Sequence, residues 1–292
     1  MSILKLAPAA VTSESAQAAI RQLIANDASV DADSKYLFSI HPEHGSVVVS
    51  GKDAGMPLSQ WIDDKGWDAL GSDARSLNTL PFTIRDLGVE NGQLFFSPKK
   101  KSKSFWYIDE APQGASIYFG INDSMTPAEF DAMLKDGSWK EKLEQVDAVK
   151  GDIFTIEAGT AYVFPKGIRI VEFSDTEPSA SDQMVAVDNS RPEPIHHDYH
   201  ENDWVADGQA ERVCAGRTSA FELDLFEVNG RLDMNCDDKS FKVIVFVDGD
   251  AVVDDHDDTI HCQKDTVLFA PANTDTFHIT GNCRFALVHL VG

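Results

Sequence analysis

The sequence predicts a mainly β protein built from two small jelly-roll barrels, with a helical insertion and an N-terminal helix. Short runs rich in Val, Ile and Phe recur through the last third of the chain, and turn residues separate them about every ten positions. The chain also repeats itself: the segments 151–156 (GDIFTI) and 264–269 (KDTVLF) are each followed by two further apolar runs. Two copies of one β unit indicate two barrels.

The domain boundaries follow from composition. We expect an N-terminal barrel domain over residues 1–175 and a C-terminal barrel domain over residues 214–292. Residues 176–213 are rich in Ser, Asp, Pro and Glu, which is typical of a linker. Residues 13–27 predict the N-terminal helix, because serines that can cap a helix precede an apolar stripe at helical spacing.

The helical insertion is predicted at about residues 126–146. Thr126 is a suitable N-cap, Pro127 suits the first turn, and Glu129 stands three residues after the cap. This arrangement is a capping box. Gly137 should divide the insertion into two short helices.

Two stretches of the first barrel predict local strand pairs. Residues 104–110 and 115–121 are rich in aromatic and β-branched residues, and we expect them to pair as a hairpin across 111–114. Residues 151–173 predict a strand, a tight turn and further strands. Small β-barrels that bind metal often place a histidine just after such a turn, but this chain has Tyr162 there.

The charge balance excludes some classes of partner. The 292-residue chain has 48 acidic and 25 basic residues, a formal net charge of −23. Such a protein repels nucleic-acid phosphates and anionic membrane surfaces, so we expect neither as a partner. The chain has no apolar run of about eighteen residues and a poor candidate signal peptide, so we expect a cytoplasmic protein.

The cysteines predict no zinc knuckle. Cys214, Cys236, Cys262 and Cys283 include no pair with C-x-x-C spacing. In a reducing compartment we expect thiols in the core or at sheet edges. Spacing alone leaves a Cys262–Cys283 disulfide open.

Several segments, taken in order, resemble one enzyme family. Residues 39–62 are similar to its A-H-P…N-G…L-x-x-L-I segment, residues 80–87 to its P-L-L-I-K-F-L strand, and residues 102–122 to K-T-E-C-W-Y followed by a second strand. Residues 129–172 are similar to its helical insertion and the following strands. From about residue 36 to 292 the chain resembles class I, bacterial-type mannose-6-phosphate isomerases. These are double-cupin zinc enzymes that interconvert mannose 6-phosphate and fructose 6-phosphate.

The resemblance implies that the zinc ligands have been replaced. The family binds zinc through Q-V-H-P, the Glu of K-T-E-C-W-Y and the His of P-S-G-T-x-H-A. The matching positions in this chain are Phe95, Ser97, Ser104 and Tyr162. A phenyl ring cannot ligate zinc, and neutral hydroxyl groups ligate it poorly. We therefore expect no zinc, no other metal cofactor and no catalytic residue at these positions.

The resemblance also locates charged groups near the former site. Arg85 stands where the family has the lysine of P-L-L-I-K. A gapless count places Asp182 at the family's catalytic arginine, and Arg191 is an alternative if the alignment contains gaps. A basic run near this site comprises Lys99, Lys100, Lys101 and Lys103. These lysines could bind a sugar phosphate through point charges, or they could belong to a solvated loop.

Two histidine groups leave a metal site elsewhere open. The first comprises His196, His197 and His200, and the spacing of His196 and His200 would place them on one face of a helix. The neighbouring prolines favour a solvated linker instead. The second group is His41 and His44.

The functional prediction is a catalytically degenerate homologue of mannose-6-phosphate isomerase. We expect its role to be sugar or sugar-phosphate binding, or regulation through a protein partner. The alternative is an active isomerase that uses a relocated metal site.

Overall fold

The computed structural model describes most of the chain. The described residues are 1–10, 31–42, 44–75, 77, 79–91, 93–96, 103–120, 126–157, 160, 162–175, 194–195, 205–207, 209–256 and 258–291. The chain divides into two compact units. Unit 1 comprises Met1–Ala10, Tyr36–Thr83 and Tyr199–Gly292, and unit 2 comprises Val11–Lys35 and Ile84–Asp198.

The described secondary structure is mainly β, as the sequence predicts. The strands are β1 (Leu4–Ala7), β2 (Ala9–Ala10), β3 (Asp31–Phe38), β4 (Val47–Val48), β5 (Thr83–Asn91), β6 (Gln93–Phe96), β7 (Ser104–Glu110), β8 (Ser116–Phe119), β9 (Glu144–Asp147), β10 (Ile153–Ile156), β11 (Tyr162–Pro165), β12 (Arg169–Ser174), β13 (Pro194–Ile195), β14 (Val205–Asp207), β15 (Ala210–Arg217), β16 (Phe221–Met234), β17 (Lys242–Asp254), β18 (Thr259–Gln263), β19 (Val267–Ala270) and β20 (Phe277–Leu290). The helices are α1 (Leu58–Lys65), α2 (Pro127–Asp136) and α3 (Trp139–Lys142), with 3₁₀ turns at Gly51–Asp53, Trp67–Leu70 and Ser72–Ala74.

Unit 1 is built on one antiparallel sheet. Its strand order is β14-β15-β16-β20-β17-β19-β1-β4, with β18 paired to β17. The N-terminal strand joins by pairing Leu4 with Phe269. At the 3₁₀ turn of Ser72–Ala74, the Ser72 amide donates to the Asp238 carbonyl at 2.9 Å. These contacts group residues 1–10 and 36–83 with the C-terminal strands, whereas the sequence had suggested an N-terminal domain spanning residues 1–175.

Gly71 shows how closely the segments of unit 1 approach one another. Its φ is +93°, a conformation that residues with a side chain rarely adopt. A Cβ atom added there would overlap the carbonyl oxygen of Lys239. This backbone contact therefore requires glycine.

Unit 2 contains strands of two sheets. One contains β13, β10, β7, β12 and β5 in that order, and the other is β6-β11-β8-β9. The predicted hairpin between residues 104–110 and 115–121 is wrong: β7 pairs with β10 and β12, while β8 pairs with β9 and β11. The turn residues between β7 and β8 carry the chain from one sheet to the other, as in a jelly roll. Similarly, β10 and β11 lie in different sheets and form no hairpin.

The helical insertion is confirmed. Thr126 caps α2, its hydroxyl accepts from the Glu129 amide at 3.3 Å, and Glu129 Oε2 accepts from the Thr126 amide at 2.7 Å. Gly137, at φ +78°, ends α2 before α3 begins. The predicted N-terminal helix at 13–27 lies outside the described residues.

The four cysteines carry free thiols, so the Cys262–Cys283 disulfide that spacing left open is not formed. Cys236, Cys262 and Cys283 are buried and Cys214 is exposed. Within the part of the chain that the structure describes, no helix is both long and apolar enough to cross a membrane.

Candidate functional site

The candidate site lies on the inward face of the β7–β12 sheet in unit 2. Across the sheet, Ser104 pairs with Ile156 and Ser174, and Trp106 pairs with Phe154 and Glu172. Cross-strand partners share a face, and residues two apart on a strand lie on the same side. Trp106 and Phe154 belong to the apolar core of the unit. Ser104, Ser174 and Glu172 therefore face that core.

A buried ion pair is the centre of the site. Arg85 on β5 donates through Nε to Glu172 Oε2 at 2.8 Å, and a second guanidinium nitrogen donates to the same oxygen. The side chains of Arg85 and Glu172 are only 6% and 3% exposed. Trp106 Nε1 donates to the other carboxylate oxygen of Glu172 at 3.4 Å. Both oxygens of Glu172 thus accept from nitrogen donors.

Tyr162 lies beside this ion pair. It belongs to the same core cluster, and its ring packs edge-on against Trp106 with a centroid separation of 4.4 Å. Burial raises the pKa of the Tyr162 phenol well above its usual value, the negative charge of Glu172 raises it further, and Arg85 opposes the shift. Tyr162 is therefore a neutral phenol at physiological pH. We call Arg85, Ser104, Trp106, Tyr162 and Glu172 the Glu172 cluster.

Lys103, the described member of the basic run, is engaged at the edge of this region. Its ammonium group lies 2.7 Å from Glu157 Oε1 and 5.7 Å from the centroid of the Phe105 ring. Its backbone amide donates to Asp175 Oδ1 at 2.9 Å. The lysine is therefore held by two carboxylate residues of its own unit.

Among the predicted site residues, Arg85 and Tyr162 interact within the Glu172 cluster, and Ser104 shares the same face of the sheet. The backbone of Phe95 lies on β6 opposite Val163, whereas Phe96 is opposite Tyr162. His41 and His44 are described, and their ring centroids lie 4.2 Å apart. Nine other predicted positions fall outside the described residues. They are Ser97, Lys99, Lys100, Lys101, Asp182, Arg191, His196, His197 and His200.

Glu172 is the site residue that the sequence analysis does not identify. A signal was present: Glu172 stands inside the apolar run Ile-Arg-Ile-Val-Glu-Phe, and Arg85 stands inside another β-forming run. Charged residues on two buried strands need partners. Which residues pair could not be read from a separation of 87 positions.

Comparisons with known proteins agree with one another. Residues 217–290 match the family model "Mannose-6-phosphate isomerase, cupin domain". The chain is 23% identical over 280 residues to the putative mannose-6-phosphate isomerase YvyI of Bacillus subtilis, covering 87% of this chain and 88% of that protein. It is 28% identical over 173 residues to mannose-6-phosphate isomerase of Streptococcus mutans, covering 55% and 54% of the two chains. The C-terminal segment thus matches the cupin-domain model of mannose-6-phosphate isomerases, and most of the chain is similar to a relative that bears that name.

The fold of a solved member of the mannose-6-phosphate isomerase cupin family is similar along the whole chain. The crystal structure of mannose 6-phosphate isomerase from Bacillus subtilis superposes with a TM-score of 0.73 at 18% identity. The match covers 99% of this chain and 100% of that one. The double-cupin architecture expected from the resemblance is therefore confirmed as the fold.

Proposed function

We propose that this protein is a catalytically degenerate member of the mannose-6-phosphate isomerase family that has lost the zinc site and binds a sugar or sugar phosphate. The observation that carries the proposal is the Glu172 cluster. The resemblance places two zinc ligands at Ser104 and Tyr162, and both residues face a core that holds a buried arginine. The proposed role is binding of the sugar or sugar phosphate, or regulation through a protein partner.

The chemistry of the described donors does not fit zinc. Zinc in proteins takes imidazole, thiolate and carboxylate donors at about 2.0–2.3 Å. Ser104 supplies a neutral hydroxyl, and burial together with Glu172 keeps the Tyr162 phenol protonated. The carboxylate of Glu172 is already bonded by Arg85 and Trp106. A zinc ion would have to displace the guanidinium from its carboxylate in a site of low dielectric.

The proposed ligand class rests on the names of the relatives and on the retained basic groups. Both curated relatives are named as mannose-6-phosphate isomerases, so a phosphorylated hexose is the ligand chemistry to test first. Lys103 is 31% exposed at its side chain. A phosphate group could exchange with Glu157 for the Lys103 ammonium, because the two carry the same sign of charge. The cytoplasmic location stays a prediction.

The experiment combines a coupled isomerase assay with calorimetric titration of mannose 6-phosphate. We expect background turnover, unaffected by a chelator, together with saturable binding that unphosphorylated mannose does not reproduce. Lys103→Met should weaken the binding, and Lys140→Met, an exposed lysine of the helical insertion, is its matched control. Turnover abolished by a chelator contradicts the loss of catalysis. It supports the second candidate, an active isomerase with a relocated metal site, for which His196, His197 and His200 are the motif.

A further inference from the structure

A second group of polar side chains lies on one sheet face of unit 1, whereas the Glu172 cluster belongs to unit 2. Strands β15, β16 and β20 are neighbours. Their register pairs Cys214 with Asp224 and Glu222 with His289. Glu222 and Asp224 are two residues apart on β16, so all four side chains share one face. Leu223 and Leu225 alternate onto the opposite face and are buried. We call Cys214, Glu222, Asp224 and His289 the Cys214 cluster.

The donor atoms of the Cys214 cluster converge. One atom each from Cys214, Glu222 and Asp224 lie within 4.8 Å of one another. His289 Nε2 lies 3.7 Å from Glu222 Oε1 and 4.0 Å from Asp224 Oδ2. Donors around one tetrahedral zinc are roughly 3.3–3.8 Å apart, given bond lengths of about 2.0–2.3 Å. His289 lies near both carboxylates but outside the group of three whose atoms all lie within 4.8 Å, so its side chain would have to rotate towards Cys214 to share one ion with it.

The orientation of His289 is an independent indication of a ligand. Its Nδ1 lies 3.0 Å from the carbonyl oxygen of Leu290. A carbonyl only accepts, so Nδ1 carries the proton and, in the neutral ring, Nε2 presents its lone pair to the carboxylates. The distances of 3.7 and 4.0 Å are too long for hydrogen bonds and suit a shared cation. Histidines that bind metal usually donate their other ring N–H to a carbonyl or carboxylate in this way.

Two arginines neutralise the carboxylates of the Cys214 cluster, and a metal ion can displace them. The Nη2 atom of Arg212 lies 2.9 Å from Asp224 Oδ2 and 3.3 Å from Glu222 Oε1. The Arg212 side chain is 48% exposed. Arg217 lies 3.6 Å from Glu222 Oε2 and is 60% exposed. Both guanidinium groups can swing into water at little cost. The cluster opens onto a cleft of about 1210 Å³, which gives an ion a path of entry.

The types of donor in the Cys214 cluster favour one class of divalent cation. The combination of thiolate, imidazole and carboxylate donors suits Zn²⁺ rather than Mg²⁺ or Ca²⁺.

We propose that Cys214, Glu222, Asp224 and His289 form a zinc-binding site in unit 1, for which Arg212 competes as a displaceable counter-ion. Binding converts the Cys214 thiol to a thiolate: the S–H bond breaks, the sulfur–zinc bond forms, and the proton goes to solvent. The site is independent of the first-barrel positions at which the resemblance places zinc.

The test uses Co²⁺ as a spectroscopic probe and Zn²⁺ as its competitor. The full chain should bind one Co²⁺ with a near-ultraviolet thiolate charge-transfer band, which Zn²⁺ removes. Cys214→Ser should abolish the band, and His289→Gln should weaken binding at least about tenfold. Cys262→Ser is the matched control and should retain the band, because Cys262 is a buried thiol outside the cluster. A combined His196→Ala, His197→Ala, His200→Ala variant should also retain it.

Arg212→Met gives a result that misfolding cannot imitate. Removing the competing guanidinium should strengthen Co²⁺ binding several-fold, whereas Arg231→Met, on an exposed arginine outside the cluster, should leave it unchanged. Absence of the band from the full chain overturns the proposal. So does a band that survives Cys214→Ser, or an Arg212→Met variant that binds no more tightly than the parent.

Discussion

Both polar clusters of this protein contain carboxylates paired with arginines, but one cluster is buried and the other is open to solvent. The Glu172 cluster is buried, and its carboxylate is bonded on both oxygens by Arg85 and Trp106. The Cys214 cluster lies along a cleft, and its carboxylates are paired with Arg212 and Arg217, whose side chains are 48% and 60% exposed. The number of potential donors therefore does not by itself identify a metal site. What decides is whether the donors are already satisfied by groups that cannot leave.

The largest expected effect comes from breaking the buried ion pair. Arg85→Met leaves Glu172 charged and without its main partner in the core, which should cost about 3–5 kcal/mol of stability. Urea unfolding followed by tryptophan fluorescence measures the loss. Arg231→Met is the matched control, since Arg231 and Asp233 are 54% and 59% exposed, and it should cost at most about 1 kcal/mol.

The double variant Arg85→Met, Glu172→Leu tests whether the lost stability comes from the unpaired charge of Glu172. It removes both charges, so it should recover most of the stability lost by Arg85→Met alone. An Arg85→Met variant as stable as the Arg231→Met control would show that the pair is not a fixed part of the core. The contrast between the two clusters would then fail.

A second prediction rebuilds the family's donor set in the first barrel. The variant Phe95→Gln, Ser97→His, Ser104→Glu, Tyr162→His, made together with Cys214→Ser, should bind zinc more tightly than Cys214→Ser alone. Loss of the buried Tyr162 ring should lower stability by roughly 2–3 kcal/mol. A competitive zinc dye and urea unfolding provide the two measurements.

The control for the rebuilt site keeps Ser104 and changes the other three positions, which removes one ligand. It should bind zinc more weakly than the complete set. Equal affinities would indicate that position 104 does not face the rebuilt site. The register that places Phe96, rather than Phe95, opposite Tyr162 offers the next variant, Phe96→Gln in place of Phe95→Gln.

Added zinc should raise the free energy of unfolding through the Cys214 cluster and not through the Glu172 cluster. At a free concentration tenfold above its dissociation constant, one bound zinc adds about 1.4 kcal/mol through linkage. Thermal unfolding with and without zinc should show this gain in the parent and in Tyr162→Phe, but not in Cys214→Ser. A gain that disappears with Tyr162→Phe and persists in Cys214→Ser would exchange the roles that we assign to the two clusters.

The comparison also explains what could be predicted from the sequence. The helical insertion depends on neighbours in the chain, so the capping box at Thr126 and the break at Gly137 were visible. Strand pairing was not, because β7 and β8 follow each other but belong to different sheets. Both clusters have the same non-local character. Register joins Glu222 to His289 and Glu172 to Trp106, and no periodicity in the sequence reports register.

The smallest expected effect concerns the protonation of Tyr162, and it tests how completely the Glu172 cluster is closed to water. Burial and the charge of Glu172 raise the pKa of this phenol well above the reference value of about 10. Because the folded-state pKa is raised, the contribution to stability is fully present below about pH 10. It is lost as the pH rises beyond that value, where the unfolded chain releases the proton and the folded chain does not.

Alkaline difference spectroscopy of the phenolates measures this directly. The chain has five tyrosines, and the ionisation of Tyr162 should be delayed until the protein unfolds. Tyr36 and Tyr107 are buried as well, so Tyr162→Phe should reduce the late step by one phenol rather than remove it. It should leave the earlier steps in place and change stability at neutral pH by at most about 1 kcal/mol. Tyr118→Phe is the control, because that ring is only partly buried and lies outside the Glu172 cluster. If Tyr162 instead ionised with an ordinary pKa in the folded protein, water would have access to the Glu172 cluster. The ion pair of Arg85 and Glu172 could then exchange with solvent as readily as the arginine pairs of the Cys214 cluster.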